Sequence, residues 1–224
     1  DGDGMRDGDE LRYGRNPAAS DGYAGLPFSE GFEPAAVQVG PIHGQHGWEA
    51  VPTNGGTVQT NLVYAGAQAL FITNAAGTTS EVRQLFAGAA EVVWVSVVQR
   101  TDASLAPTGT QDSAAAWYFS AGRLTVFDGL AGTNGGDWVT LTNHTPYATS
   151  QWVQVLAKVD YSARTWQMYL NGTRLVYNLG FAPAAADRFT ALTLRAQGGY
   201  ADNVQLSLTP PEGLDTDGDG MPDA

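Results

Sequence analysis

Apolar residues recur at every second position through most of the chain's middle. The longest such run is Gln151 to Asp160, where Val153, Val155, Ala157 and Val159 alternate with Trp152, Gln154, Leu156, Lys158 and Asp160. Period-two alternation predicts a strand with one buried face, because successive side chains of extended backbone point to opposite sides. After a turn at Tyr161 to Arg164, Trp166, Met168 and Leu170 share one face. Asn171-Gly172 then supplies the left-handed pair of a tight hairpin before a return strand from Thr173 to Leu179. The same pattern predicts strands at Val58 to Val63, Ala69 to Ile72, Ser80 to Phe86, Glu91 to Arg100, Ala115 to Phe119 and Arg123 to Phe127. It predicts three more at Trp138 to Thr142, Ala191 to Ala196 and Asn203 to Leu208. Gly, Asn, Pro and Thr punctuate these runs, and none keeps a helical period. The expectation is an all-β fold, a two-sheet antiparallel jelly-roll sandwich over residues 28–210.

The two ends depart from this pattern. Asp215, Asp217 and Asp219 alternate before Gly220, Met221 and Asp223, which are positions 1, 3, 5, 6, 7 and 9 of an EF-hand-type calcium loop. At the other end Asp1, Asp3, Gly4, Met5 and Asp7 fall on positions 3, 5, 6, 7 and 9, and Glu10 falls on position 12. Asp217 to Ala224 and Asp1 to Gly8 share six identities in eight, so one loop is begun at the C-terminal end and completed at the N-terminal end. Met5 and Met221 enter the set through their backbone carbonyls. A short helix from Glu10 to Tyr13, stopped by Gly14, follows the N-terminal half-loop, and Asn16-Pro17 restores extended chain. The segments are therefore 1–17, a calcium-binding linker; 18–27, a plain linker; 28–210, the sandwich; and 211–224, the start of the next calcium-binding linker.

These ends resemble the aspartate-rich repeats of thrombospondin type 3 and the EF-hand-like linkers of bacterial surface proteins, a likeness that extends to ELRYGRNP after the first half-loop. WVQVLAKVDYSARTWQMYLNGTRLV, FTALTLRA and ADNVQLS resemble the concanavalin A-like superfamily of lectins and glucanases, especially its laminin G-like modules. FSEGFE, GPIHGQHGW and AGAQAL are similar to the first strands of that group. The resemblance implies a fold and not a ligand. It also implies a candidate structural calcium at Glu33 and Asp202, which flank the first and last strands; a carboxylate bonded to backbone is the alternative for each.

Charge narrows the partners. Residues 1–15 and 211–224 carry ten of the 23 acids and three of the 11 bases, within a net charge of -12. Negative ends suit divalent cations and disfavour nucleic acid and anionic membrane. With no cysteine, disulfides and thiol chemistry are excluded, and the chain holds no apolar run of the roughly 18 residues that membrane insertion requires.

Catalytic constellations are sparse. Glycoside hydrolysis needs two carboxylates on one sheet face, whereas Glu81, Glu91, Asp102, Asp112, Asp128 and Asp137 stand singly. Tyr118 to Gly122 and Ile42-His43 faintly resemble alginate lyase motifs, but the arginine-rich partner strand of that family is absent. His43, His46 and His144 lack the helical pairing of a zinc protease. The chain is expected not to be an enzyme. For glycans, Trp48, Trp138, Tyr147 and Trp152 are candidate stacking surfaces, with packing inside the sandwich as the alternative.

Two functions follow. One is an extracellular structural or adhesive repeat in a bacterial fibre, stalk or adhesin, joined to neighbouring copies by calcium-rigidified linkers. The other is a carbohydrate-binding accessory module of a secreted polysaccharide-processing enzyme. On either, the chain is read as a segment of a longer polypeptide.

Overall fold

The computed structural model describes residues 2–73, 79–89, 91–100, 112–132, 135–148 and 150–214. One short helix, α1 (Asp7–Arg12), precedes the strands β1 (Phe28–Glu30), β2 (Gly40–Pro41), β3 (Trp48–Val51), β4 (Gly56–Gln59), β5 (Ala69–Ile72), β6 (Ser80–Ala89) and β7 (Val92–Arg100). Then come β8 (Trp117–Ser120), β9 (Arg123–Asp128), β10 (Asp137–Thr140), β11 (Trp152–Asp160), β12 (Thr165–Leu170), β13 (Thr173–Gly180), β14 (Phe189–Ala196) and β15 (Gly199–Ser207).

A large sheet has the order β13-β12-β11-β7-β15-β5-β4-β2, with β1 also paired to β15. Two three-stranded sheets, β14-β6-β3 and β10-β9-β8, face it. The fold is the expected antiparallel jelly-roll sandwich. Its core unites Val93, Val95 and Val97 of β7 and Val153, Val155 and Val159 of β11 with Val82 and Phe86 of β6 and Leu124 and Val126 of β9. Each buried valine contributes about 1.5–3 kcal/mol of hydrophobic stabilisation.

Local chemistry sets the register. Asn171 and Gly172 adopt φ of 48° and 81°, so Leu170 faces Thr173 across the predicted two-residue turn. Asp160 closes the preceding turn, where its carboxylate accepts the Ala163 N–H (2.9 Å) and the Ser162 hydroxyl (2.7 Å). Three differences from the sequence expectation stand out. β4 stops at Gln59, whose side-chain oxygen accepts the N–H groups of Asn61 and Leu62 and turns the chain. β3 arises in a Gly/Pro-rich stretch without alternation, because it completes the edge of β6. And α1 begins at Asp7, with Asp7, Asp9 and Glu10 in its first turn, where acids complement the helix dipole.

Both flanking segments pack on the sandwich. Ahead of β1, the Tyr13 hydroxyl bonds Thr190 (3.0 Å) while its carbonyl accepts from Arg83 (3.3 Å), and Arg15 pairs with Glu49. Ala24 bridges to Phe86. Ala24, within residues 18–27 expected as a plain linker, thus lies against β6. After β15, Leu214 is buried with Trp94, Leu156 and Tyr169 on the outer side of the large sheet. This contact explains why Leu156, an outward position by alternation, is only 4% exposed.

Candidate functional site

Strand register assembles a row of side chains on the outer face of the large sheet. Trp152 lies directly opposite Arg100, Tyr200 opposite Phe71, and Phe71 opposite Thr57. Ala201 opposite Gln99 sets Tyr200 beside Arg100. The neighbours of these residues along each strand, Val153, Ala201, Leu70 and Ile72, belong to the core, so the row points away from it. With strands about 4.8 Å apart, five strands carry it across roughly 19 Å, the scale of a short oligosaccharide.

The rings touch one another. Phe71 stacks on Tyr200 with centroids 4.5 Å apart and planes 29° from parallel, and Trp152 meets Tyr200 edge-on at 6.3 Å. Tyr64, from the β4–β5 loop, tilts against Trp152 at 5.9 Å and is 50% exposed. The Arg100 guanidinium lies 5.4 Å from the centre of the Tyr200 ring and donates to the Ser150 carbonyl (3.0 Å). Aromatic faces of this kind offer polarisable apolar surface to the C–H face of a sugar ring, and the arginine adds hydrogen-bond donors at the edge.

The loop that presents Tyr64 is pinned by two acids. Asp202, fully buried, accepts the N–H groups of Tyr64 and Ala65 (both 3.2 Å) and of Asn203 (2.8 Å). Burial raises its carboxyl above the ordinary aspartate range; the three N–H donors oppose that shift, and the Glu33 charge adds to it. Glu33 accepts the Ala67 N–H (3.0 Å). A side chain at Gly66 would collide with Glu33, and the loop passes there at φ of 69°. Glu33 and Asp202 therefore converge on one loop, and both bind its backbone N–H groups.

The other candidates are dispersed. Trp48 is fully buried between Phe28 (6.3 Å) and Phe32 (5.6 Å). It presents no face to solvent, which corrects its assignment as a stacking surface. Trp138, on β10, packs edge-on to Tyr118 (4.9 Å) and Phe127 (5.6 Å). The Tyr147 hydroxyl accepts from Asn171 (3.1 Å). Trp152 alone of the four joins the row. Tyr64, Phe71, Arg100 and Tyr200 were not singled out from sequence, since they lie on separate strands and loops and share only an outward parity.

At the N-terminal half-loop, the Asp3 carboxylate accepts from the N–H groups of Met5 (3.1 Å) and Asp21 (3.0 Å); the Met5 side chain is buried and Asp7 is exposed. Glu10 is fully buried: its Oε1 accepts the Tyr23 hydroxyl (3.0 Å), and its Oε2 has no partner among the described residues, as is true of the buried Asp9 Oδ2. Burial, reinforced by the Glu10 and Asp21 carboxylates, raises the Tyr23 hydroxyl above the ordinary phenol range. Two buried carboxylate oxygens without donors fit a cation, although no three acids or histidines gather into a ligand set among the described residues. Asp1, Asp215, Asp217, Asp219, Met221 and Asp223 lie outside the described residues.

The fold is an all-β, antiparallel jelly-roll sandwich. Among solved structures, the chain is similar to a cellulose-induced protein, Cip1, with 12% identity, a TM-score of 0.53, and coverage of 81% of this chain and 97% of that one. It is also similar to a carbohydrate-binding module, CBM66, from Bacillus subtilis (10% identity, TM-score 0.43, 83% and 99% covered). A sialidase gives 13% identity and a TM-score of 0.49, covering 77% of this chain and 18% of that one, so the match spans about a fifth of that enzyme. No family model matches the sequence, and no curated protein matches it.

Proposed function

We propose that this chain is a carbohydrate-binding module, acting outside the cell and holding a glycan chain on the outer face of the large sheet. The observation that supports this most is the row of Trp152, Tyr200 and Phe71 with Tyr64 beside it, four aromatic rings in contact on a face where a soluble domain otherwise gains nothing from them. Arg100 and the polar pair Gln154 and Ser96 (3.0 Å), one step along the same face, add hydrogen-bonding partners. Binding is by stacking and hydrogen bonding with no bond broken. Calorimetry against soluble cellulose derivatives, arabinan, xylan, mannan and levan tests it. At least one polysaccharide is expected to bind in the micromolar to millimolar range; a blank across the panel would end the proposal.

A second function is favoured by one specific observation, the unpartnered Glu10 Oε2. The laminin G-like module is joined to neighbouring modules by calcium-binding loops, in which Asp1, Asp3, the Met5 carbonyl, Asp7 and Glu10 complete a site begun by an upstream Asp-rich segment. Asp215, Asp217, Asp219, the Met221 carbonyl and Asp223 begin the next one. Calcium, where bound, supplies the positive charge that six or more clustered carboxylates lack. Calorimetry with calcium chloride is expected to give binding that Glu10→Gln weakens about tenfold or more. Identical heats for the two chains would contradict it.

A further inference from the structure

A cleft of about 500 Å³ lies between the segment leading into β1 and the edge formed by β3 and β6, and it shares no residue with the aromatic row. Its walls include Tyr23, Leu26, Pro27, Phe28, His46 and Gln84. The size falls within the range of small-ligand sites, roughly 300–1,000 Å³.

Glu30, 2% exposed, brings Oε2 to 2.6 Å from His46 Nδ1 while its Oε1 accepts the Phe32 N–H (2.7 Å). Glu30 thus takes up Nδ1, and Nε2 is the ring's remaining hydrogen-bonding atom. No hydrogen-bond partner of that nitrogen exists among the described residues, and the ring is half exposed. The backbone holds His46 at φ of 47°, a conformation that residues other than glycine adopt at a cost. Gln84, also 2% exposed, donates its amide nitrogen to the Leu85 carbonyl (3.4 Å) and has no partner for its Oε1 among the described residues. A methyl group at Gly47 would stand 2.8 Å from the Gln84 amide nitrogen, so only glycine lets the backbone pass this close to the amide. Phe28, stacked with His46 at 6.1 Å, gives an apolar surface next to both.

We infer that this cleft is a second ligand site, which takes a neutral, hydroxyl-rich ring: a single sugar residue whose hydroxyls pair with His46 Nε2 and donate to Gln84 Oε1 and whose C–H face lies on Phe28. The inference rests on the carbohydrate-binding proposal. The walls hold no Lys or Arg, and an anion would meet the Gln84 oxygen. A metal ion would find no gathered ligand set among the described residues. A hydroxyl both donates and accepts, so it suits His46 Nε2 and Gln84 Oε1 alike while its ring carries apolar surface.

The test is a titration of the full chain with the methyl glycosides of glucose, galactose, mannose, xylose and arabinose, followed by side-chain ¹H–¹⁵N NMR. At least one glycoside is expected to shift the His46 ring nitrogens and the Gln84 amide. Gln84→Met, which conserves volume and removes an amide with an unpartnered oxygen, is expected to leave the melting temperature unchanged and to weaken that binding about tenfold. Trp152→Ala is expected to leave it untouched. Ligands that perturb the Trp152 and Tyr200 signals but never His46 or Gln84 would overturn the cleft and leave the carbohydrate-binding module standing. Silence at both places would overturn the cleft and leave the carbohydrate-binding module to its polysaccharide panel, and binding indifferent to Gln84→Met would overturn the cleft.

Discussion

Asp202 holds the loop that carries Tyr64, and it does so from a fully buried position with its carboxyl raised above the ordinary range. An acid whose folded-state value is raised binds its proton more tightly in the folded chain. Its contribution to stability therefore grows as pH falls through the folded value, and is complete below the unfolded value of about 3.9. Asp202→Asn replaces one acceptor by a donor where backbone N–H groups converge, so a loss of about 1–3 kcal/mol is expected at pH 7. The difference between the natural chain and Asp202→Asn is expected to widen from pH 7 to about pH 4, near the unfolded value, because only the natural chain gains from protonation. Denaturant unfolding at the two pH values checks this, and a difference that narrows would contradict the role given to the buried carboxylate. The sequence pointed to Asp202 and Glu33 as a pair near the first and last strands. That both would be taken up by N–H groups of residues 64 to 68 depends on a loop path that no local pattern encodes.

Among the elements, β11 and the hairpin β12–β13 were fully legible, since alternation and Asn171-Gly172 are local signals acting within one or two strands. β3 was not, because Trp48–Val51 is a strand only through its pairing with β6. The flanking segments were legible as chemistry but not as packing. Alternation places Leu156 outward, and the burial of that position follows from Leu214, 58 residues later in the chain. Leu214→Ala is expected to free the segment after β15, speeding amide exchange at residues 209 to 214 and exposing Trp94 to fluorescence quenchers. The global cost is expected to be no more than about 2 kcal/mol, since a chain end relaxes into the space more easily than an interior element. Unchanged Trp94 quenching would show that this contact does not hold the segment down.

Over the whole molecule, Tyr13, ahead of β1, meets the sandwich on β6 and β14, whereas Leu214, after β15, meets it on the outer side of β7, β11 and β12. The fold class was legible throughout because period-two alternation is a property of the entire middle of the chain. The aromatic row was legible only at Trp152; Phe71 and Tyr200 sit 129 residues apart in sequence and meet because β5 pairs with β15. The central claim, that glycan is held on this row, is tested most directly by comparing Trp152→Ala with Tyr200→Ala and with Trp138→Ala in affinity electrophoresis through whichever polysaccharide binds the natural chain. Trp152→Ala and Tyr200→Ala are each expected to weaken binding about tenfold or more, or about 1.4 kcal/mol. Trp138→Ala, on a different sheet, is expected to leave retardation unchanged. Retardation that survives Trp152→Ala and Tyr200→Ala, or that is lost with Trp138→Ala, would contradict the assignment of this face.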